Sequence, residues 1–233
     1  MGRRPTIETN NIEKASKLWE FLTPEEREFL GKNFSVKHYK KNEMIYTEGE
    51  TPHDLLCLVS GKVKIFRKGV GGRTQIVRII KAVEHFAYRA LLAEEPYVTN
   101  ATAMENSTVY VIPGEVFISL LKQNHELSFF FIKSLATDLG ISDSRSVNLT
   151  QQHIRGRLAE SLLFLKDSYG YESDDTTIAI YLSREDLAGI SNMTASNVIR
   201  TLAVFANEKI IAVDGRKIKI IDEDRLRQIG KFE

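Results

Sequence analysis

A chain of 233 residues with 42% hydrophobic composition can bury an ample core and is long enough for two domains. No apolar run nears the roughly 20 residues of a membrane span, and the opening Met-Gly-Arg-Arg-Pro-Thr lacks the apolar core of a secretion signal. A cytoplasmic protein without membrane contact is therefore expected; its net charge of +1 excludes a uniformly basic surface, and its single cysteine excludes an intrachain disulfide framework.

From about Phe34 to Pro113 the chain is a string of short strand-like runs punctuated by Gly49, Gly61, Gly69, Gly71, Gly72 and Pro52. Leu55 to Val59, Lys62 to Phe66, Gln75 to Ile80 and Thr108 to Ile112 are examples, and many short strands at this spacing predict a sandwich, jelly roll or barrel. The interior of such a double sheet is a plausible ligand pocket. Cys57 lies between Leu56 and Leu58 in one of these strands and reads as a buried, inert thiol.

Glu126 to Asn148 carries the longest helical pattern. Leu127, Phe130, Phe131, Leu135 and Leu139 form one stripe, which Ile132 and Ile141 widen. About 23 residues at 1.5 Å each span some 34 Å, long for a helix tied to a small domain. The N-terminal part can pack on the strand domain; for the C-terminal part a second copy of the helix is the simplest cover. Gly140 costs roughly 1 kcal/mol relative to Ala in a helix interior, tolerable where it allows close helix approach.

Leu182 to Leu202 holds two helical patterns broken by a turn. Leu182, Leu187 and Ile190, with Ala188 between, mark one face of the first, with Ser183 as N-cap and Asp186 at the capping-box position. Asn192 interrupts, where Asn tolerates a left-handed backbone. A second helix starts on Thr194 as N-cap, with Val198, Ile199 and Leu202 expected inward and Ala195, Ser196, Asn197 and Arg200 outward. That is a helix-turn-helix pattern, whose second helix enters the DNA major groove. Lys209 to Ile221 follows as two strand-like runs joined by Asp214-Gly215, a hairpin signal, with Arg216, Lys217 and Lys219 just beyond the turn where a wing can touch phosphate. Residues 151–233 hold 12 Lys and Arg against 13 Asp and Glu, so any basic surface must be local.

In this order the parts resemble the CRP/FNR family of bacterial transcription regulators across nearly the whole chain. The resemblance rests on Glu48-Gly49 through Gly61-Lys62-Val63-Lys64-Ile65, on Asn148-Leu149 through Gly156-Arg157-Leu158-Ala159, and on Leu182 to Leu202. It implies an α+β fold: an N-terminal antiparallel β jelly roll (double-stranded β-helix), a long dimerisation helix, and a C-terminal winged helix-turn-helix. The expected bounds are a cyclic-nucleotide-binding-like sensor over 1–125, dimerisation helix and hinge over 126–150, and a DNA-binding domain over 151–233. Homodimerisation, double-stranded DNA and RNA polymerase are the partners it implies.

At the family's effector site the chain departs from the cyclic-AMP-binding pattern. The corresponding segment runs from His85 to Asn100, with Ala87 and Tyr88 in the Gly-Glu places, Arg89 and Ala90 after them, and Val98-Thr99 or Thr99-Asn100 in the Arg-Ser places. Without that arginine a buried phosphodiester lacks its main counter-charge, at a cost of several kcal/mol, unless Arg89 points inward to replace it. Ser142 and Asp143 stand where the long helix would meet adenine, and Asp143 repels an anion. Cyclic AMP is therefore not expected as the effector. An iron-sulfur cluster needs about four cysteines and is excluded by one; haem needs an axial ligand, for which His85 is the best placed of five histidines. A small organic anion, a redox signal or no ligand remain open.

By the same resemblance Ala195, Ser196 and Arg200, with Asn197 beside them, face base edges, while Thr194 and Arg184 hold phosphates. Arg200 keeps the family's arginine, able to donate two hydrogen bonds to guanine for roughly 1 to 3 kcal/mol of discrimination. Ser196 replaces a glutamate and discriminates less. One such helix falls short of the roughly 4 to 10 kcal/mol that separates specific from non-specific DNA, so two copies on an inverted repeat are required. A signal in the sensor is expected to move the long helix or the hinge near Asn148 to His153 and so reset the recognition helices. An enzyme is not expected, since no His-x-His pair, His-Glu-x-x-His run or nucleophile elbow is present. The alternative is a constitutive DNA-binding regulator whose β-roll only dimerises or docks a protein.

Overall fold

The run Asp54-Leu-Leu-Cys-Leu-Val-Ser60 buries Leu55, Leu56, Cys57 and Leu58 in succession, so the strand it forms must be covered on both faces. The computed structural model, which describes residues 17–233, shows how. Residues 1–16, with the chain start and the opening of the expected sensor domain, lie outside the described residues.

The chain divides into two compact units: one runs up to Arg67 and resumes over Val77–Leu139, the other comprises Lys68–Ile76 and Gly140–Glu233. Apart from Lys68 and Thr74–Ile76, which fall in the second, the first holds the strands β1 (Ser35–Tyr39), β2 (Met44–Tyr46), β3 (Asp54–Ser60), β4 (Val63–Lys68), β5 (Thr74–Ile80), β6 (His85–Phe86), β7 (Asn100–Ala103) and β8 (Ser107–Pro113). They form two four-stranded sheets, ordered β1-β8-β3-β6 and β2-β7-β4-β5, the antiparallel jelly roll expected. Between the sheets Leu56, Leu58, Phe86, Val109 and Val111 meet Val63, Ile65, Ile80 and Ala101. The opposite face of β3 and β8 presents Leu55, Cys57, Tyr110 and Ile112 to helices. Those helices are α1 (Pro24–Asn33), α2 (Tyr88–Ala93), α3 (Gly114–Gln123) and the start of α4 (His125–Gln151). Gly61 joins β3 to β4 with a φ of +91°, and a Cβ there would lie 2.8 Å from Ser107 Cα, so this turn admits glycine alone.

The strands extend a residue or two beyond the predicted runs, except that β4 starts at Val63 and leaves Lys62 outside, and α4 reaches His125 and Gln151, 27 residues or about 40 Å. Its stripe is narrower than predicted. Leu127 and Phe131 are buried and Phe130 and Leu135 pack against them, whereas Leu139, Ile132 and Ile141 face outward. The reason is the 100° step of the helix: Ile132 turns off the edge of the sheet-facing stripe, and the stripe outruns the sheet before Leu139.

In the second unit α4 ends at Gln151 and α5 (Ile154–Tyr169) begins on His153, leaving a two-residue break inside the predicted hinge. There follow α6 (Arg184–Ser191), α7 (Ala195–Asn207), the hairpin β9 (Ile211–Asp214) with β10 (Lys217–Ile220), and α8 (Glu223–Phe232). Gly156 lets α5 approach the chain's end, since a Cβ there would lie 2.7 Å from the Glu233 carbonyl carbon. Glu223 ties α8 back: it accepts from Lys166 Nζ (2.8 Å) and the Tyr171 hydroxyl (2.8 Å), and Lys166 above all holds its carboxyl down at about 2. Two expectations need correction. Ile199 faces solvent because the inward stripe of α7 is Val198, Thr201, Leu202 and Phe205. The wing turn is centred on Gly215-Arg216, since Asp214 is still paired with Lys217; glycine in the first central place is the type II′ order.

Candidate nucleic-acid interface and effector segment

Small polar residues set the helix-turn-helix. Ser183 Oγ accepts from the Asp186 backbone N–H (3.0 Å) while its hydroxyl donates to Asp186 Oδ2 (3.0 Å), fixing the start of α6. Asn192 ends α6 in the left-handed region, φ +49°, and Thr194 Oγ1 accepts from the Asn197 N–H (3.2 Å) to open α7. The buried stripe of α7 then leaves Ser196 and Arg200 exposed, with Ala195 and Asn197 half-buried beside them. Arg200 is aimed by its neighbour: Nη2 donates to Asn197 Oδ1 at 2.6 Å. This holds the guanidinium along the helix face, with donors still available to a base edge.

The wing lies on the same end of this unit as the start of α6. Arg184 Nη2 donates to the Gly215 carbonyl (2.7 Å), so the side chain expected on phosphate fastens the wing turn to α6, and its Nη1 is buried without a hydrogen-bond partner. Arg216 is exposed at the turn. Lys217 Nζ sits 5.8 Å from the centroid of the Tyr181 ring, whose hydroxyl donates to Glu172. Lys219 pairs with Asp174 at 3.2 Å. The positive charge of the wing is thus Arg216 and Lys217, with Lys219 neutralised.

The effector segment is built differently from its sequence reading. Ala87 carries a φ of +71°, the backbone of a glycine position, and caps α2. Tyr88 is buried and its hydroxyl donates to Asp138 Oδ2 (2.8 Å), which also accepts from Arg78 Nη1 (2.9 Å). Burial and then this bond push the Tyr88 hydroxyl up to about 12, while Asp138 keeps Arg78 firmly charged against its own desolvation. Ala90 belongs to the core between the sheets. Arg89 does not point inward; it is exposed and paired with Glu95 at 3.0 Å. Thr99 hydrogen-bonds Tyr46, whose ring stacks on Tyr97 at 3.9 Å. Ser142 and Asp143 are exposed on the part of α4 that belongs to the second unit.

Arg78 and Asp138 were not singled out in the sequence, although an arginine alternating with buried isoleucines in β5 is the kind of charge that needs a partner. His85 is buried against Phe130 and Phe131, with ring centroids at 6.2 and 5.8 Å, and desolvation lowers its pKa to about 4. It is a neutral core imidazole wedged between aromatic rings. Among the described residues no group of three or more His, Cys, Asp or Glu is placed to hold a metal, and no helix is long and apolar enough to cross a membrane.

The hinge is tied to α8. Gln152 Nε2 donates to the Gly230 carbonyl (2.7 Å) and the His153 N–H to the Glu233 carbonyl (2.6 Å), while Asn148 Nδ2 reaches Glu160 on α5. Of these bonds, Asn148 to Glu160 is the one that joins α4 to α5 directly.

Residues 36–124 match the cyclic nucleotide-binding domain family and residues 156–229 the Crp-like helix-turn-helix domain family. The chain is 25% identical over 198 residues to the CRP-like cAMP-activated global transcriptional regulator of Mycobacterium tuberculosis, covering 84% of this chain and 88% of that one. It is 29% identical over 203 residues to the anaerobic regulatory protein of Bacillus subtilis, covering 86% and 85%. Among solved structures, FixK2 from Bradyrhizobium japonicum shares the fold with a TM-score of 0.75 at 20% identity, over 84% of this chain and 96% of that one.

Proposed function

The chain belongs to the CRP/FNR family of DNA-binding transcription regulators, and from that premise we propose that it binds an inverted-repeat operator as a homodimer, under a signal received in the β-roll. The observation that carries the proposal is α7. A capped N-terminus, small residues Ala195 and Ser196, and Arg200 held outward by Asn197 make a surface that can approach base edges closely and donate to guanine. Arg216 and Lys217 on the wing, and Thr194 at the helix start, supply phosphate contacts. Arg184 acts by positioning the wing. RNA polymerase is the protein partner through which such a regulator acts.

The dimer is proposed on α4, whose outward face carries Phe129, Ile132, Ala136 and Leu139 at the 3-4-3 spacing of a coiled-coil seam. A Cβ at Gly140 would meet nothing within 4 Å in this chain, whereas a second helix alongside favours glycine there. The signal route runs through Tyr88, Asp138 and Arg78, which join the effector segment to that same helix. A ligand or modification that displaces Tyr88 frees Asp138 and shifts α4, and with it the hinge at Gln152 and His153. Cyclic AMP is not the proposed signal, because Val98 or Thr99 stands in the family's arginine place and Arg89 is engaged by Glu95.

The test is the operator complex itself. Sedimentation of the full chain with an enriched duplex gives two chains per duplex, and Asp138→Asn changes operator affinity without changing that stoichiometry. One chain per duplex overturns the dimer. Unchanged affinity in Asp138→Asn and Tyr88→Phe supports the alternative, a constitutive regulator with the β-roll as platform.

A further inference from the structure

The outward face of α7 carries a residue that its stability does not ask for. Ile199 is 54% exposed, although isoleucine is a weaker helix former than alanine and gains nothing from contact with water. At 100° per residue, Ile199 lies about 60° to one side of Ser196 and Arg200 about 40° to the other, so the two larger side chains flank the small one on a single surface. Ala195 and Ala203 complete that face and project little. Helical side chains lean toward the N-terminus, which places Ile199 over the level of Ala195 and Ser196, the end that enters the groove. Its β-branched χ1 is fixed in a helix, so ordering it against a base costs little entropy.

Only one apolar group lines the major groove, the C5 methyl of thymine. Against any other base, Ile199 would cover donors or acceptors without pairing them, and a polar group left dry costs free energy. We propose that Ile199 is a specificity-determining residue that reads a thymine methyl beside the guanine read by Arg200. The inference rests on α7 being the groove-reading helix, as proposed above. It gives the half-site a T-dependent position that Ser196, able to donate or accept, does not impose.

The experiment replaces each thymine of the enriched half-site in turn by deoxyuridine, which removes the methyl and leaves the hydrogen-bonding edge intact. Affinities are measured by fluorescence anisotropy for the full wild-type chain, Ile199→Ala and Ile199→Val. Ile199 is exposed and alanine favours helix, so the variants fold. One thymine is expected at which deoxyuridine weakens wild-type binding about fourfold per half-site, the worth of one buried methyl. Ile199→Ala binds both duplexes alike, and Ile199→Val keeps part of the difference. Equal losses in wild type and Ile199→Ala, no sensitive thymine, or a half-site without thymine overturns the inference. If Arg200→Ala still relaxes a guanine in those cases, the groove reading stands and only Ile199 falls. A library that enriches no sequence removes both.

Discussion

His85 shows how a residue can look like a ligand in sequence and act as a core group in structure. Its imidazole sits between Phe130 and Phe131 and its pKa is lowered to about 4 because burial penalises the cation. The unfolded chain takes up the proton near 6.5, the folded chain only near 4, so between these values the unfolded state binds more protons. Stability from this group is fully present above about pH 6.5 and is lost as pH falls through 4, on the order of 3 kcal/mol in all. Trp19, the only tryptophan, lies in the core of the same unit and reports its unfolding. Urea titrations followed by Trp19 fluorescence should lose stability from pH 7 to pH 5 in wild type and lose much less in His85→Leu. Equal slopes in the two proteins would show that the imidazole is already solvated in the folded state.

Single residues also account for what the sequence concealed. Asn192, Ser183 and Thr194 signalled their backbone roles because caps and left-handed turns are local chemistry. Ile199 was misplaced because Val198, Ile199 and Leu202 fit an inward stripe as well as Val198, Thr201, Leu202 and Phe205 do when threonine is taken for a surface residue. The Tyr88–Asp138–Arg78 network was beyond reach, since its members stand 50 and 60 positions apart and only the closed sheets bring them together.

At the scale of elements, α4 carries two programmes. Its inner stripe, Leu127 and Phe131, belongs to the helix-covered core, while Phe129, Ile132, Ala136 and Leu139 face out. The sequence blended these into one broad face, because apolar residues on two sides of a helix lie almost all round it. Leu139 therefore tests the dimer without disturbing the fold. Leu139→Lys should lower the dimer association constant on the order of 100-fold or more in sedimentation equilibrium, since two leucines leave the seam and two charges replace them. Its thermal unfolding as a monomer should match that of wild type diluted to monomer. Undiminished dimerisation would place the interface elsewhere on the chain. The short helix α1 went unread for a different reason: its ten residues are mostly polar and carry weak periodicity. In α1 a local signal was present, Thr23-Pro24-Glu25-Glu26, where Thr23 and Glu26 close a capping box (2.9 and 3.3 Å).

At the scale of the whole molecule, the order of parts was legible because each has a distinct period: two in the strands, 3.6 in α4, and the turn-punctuated pair in α6 and α7. The two-residue break at Gln152 and His153 lies inside the second unit, between α4 and α5. The account stands on α7 reading DNA through Arg200. The most direct measurement is selection of bound sequences from a random duplex library by the full wild-type chain and by Arg200→Ala in parallel. Wild type should enrich an inverted repeat with half-sites about one helical turn apart and a fixed guanine in each. Arg200→Ala should weaken binding by roughly 1 to 3 kcal/mol per half-site and relax that guanine alone. Failure to enrich a repeat, or a guanine preference unchanged in Arg200→Ala, would contradict the account.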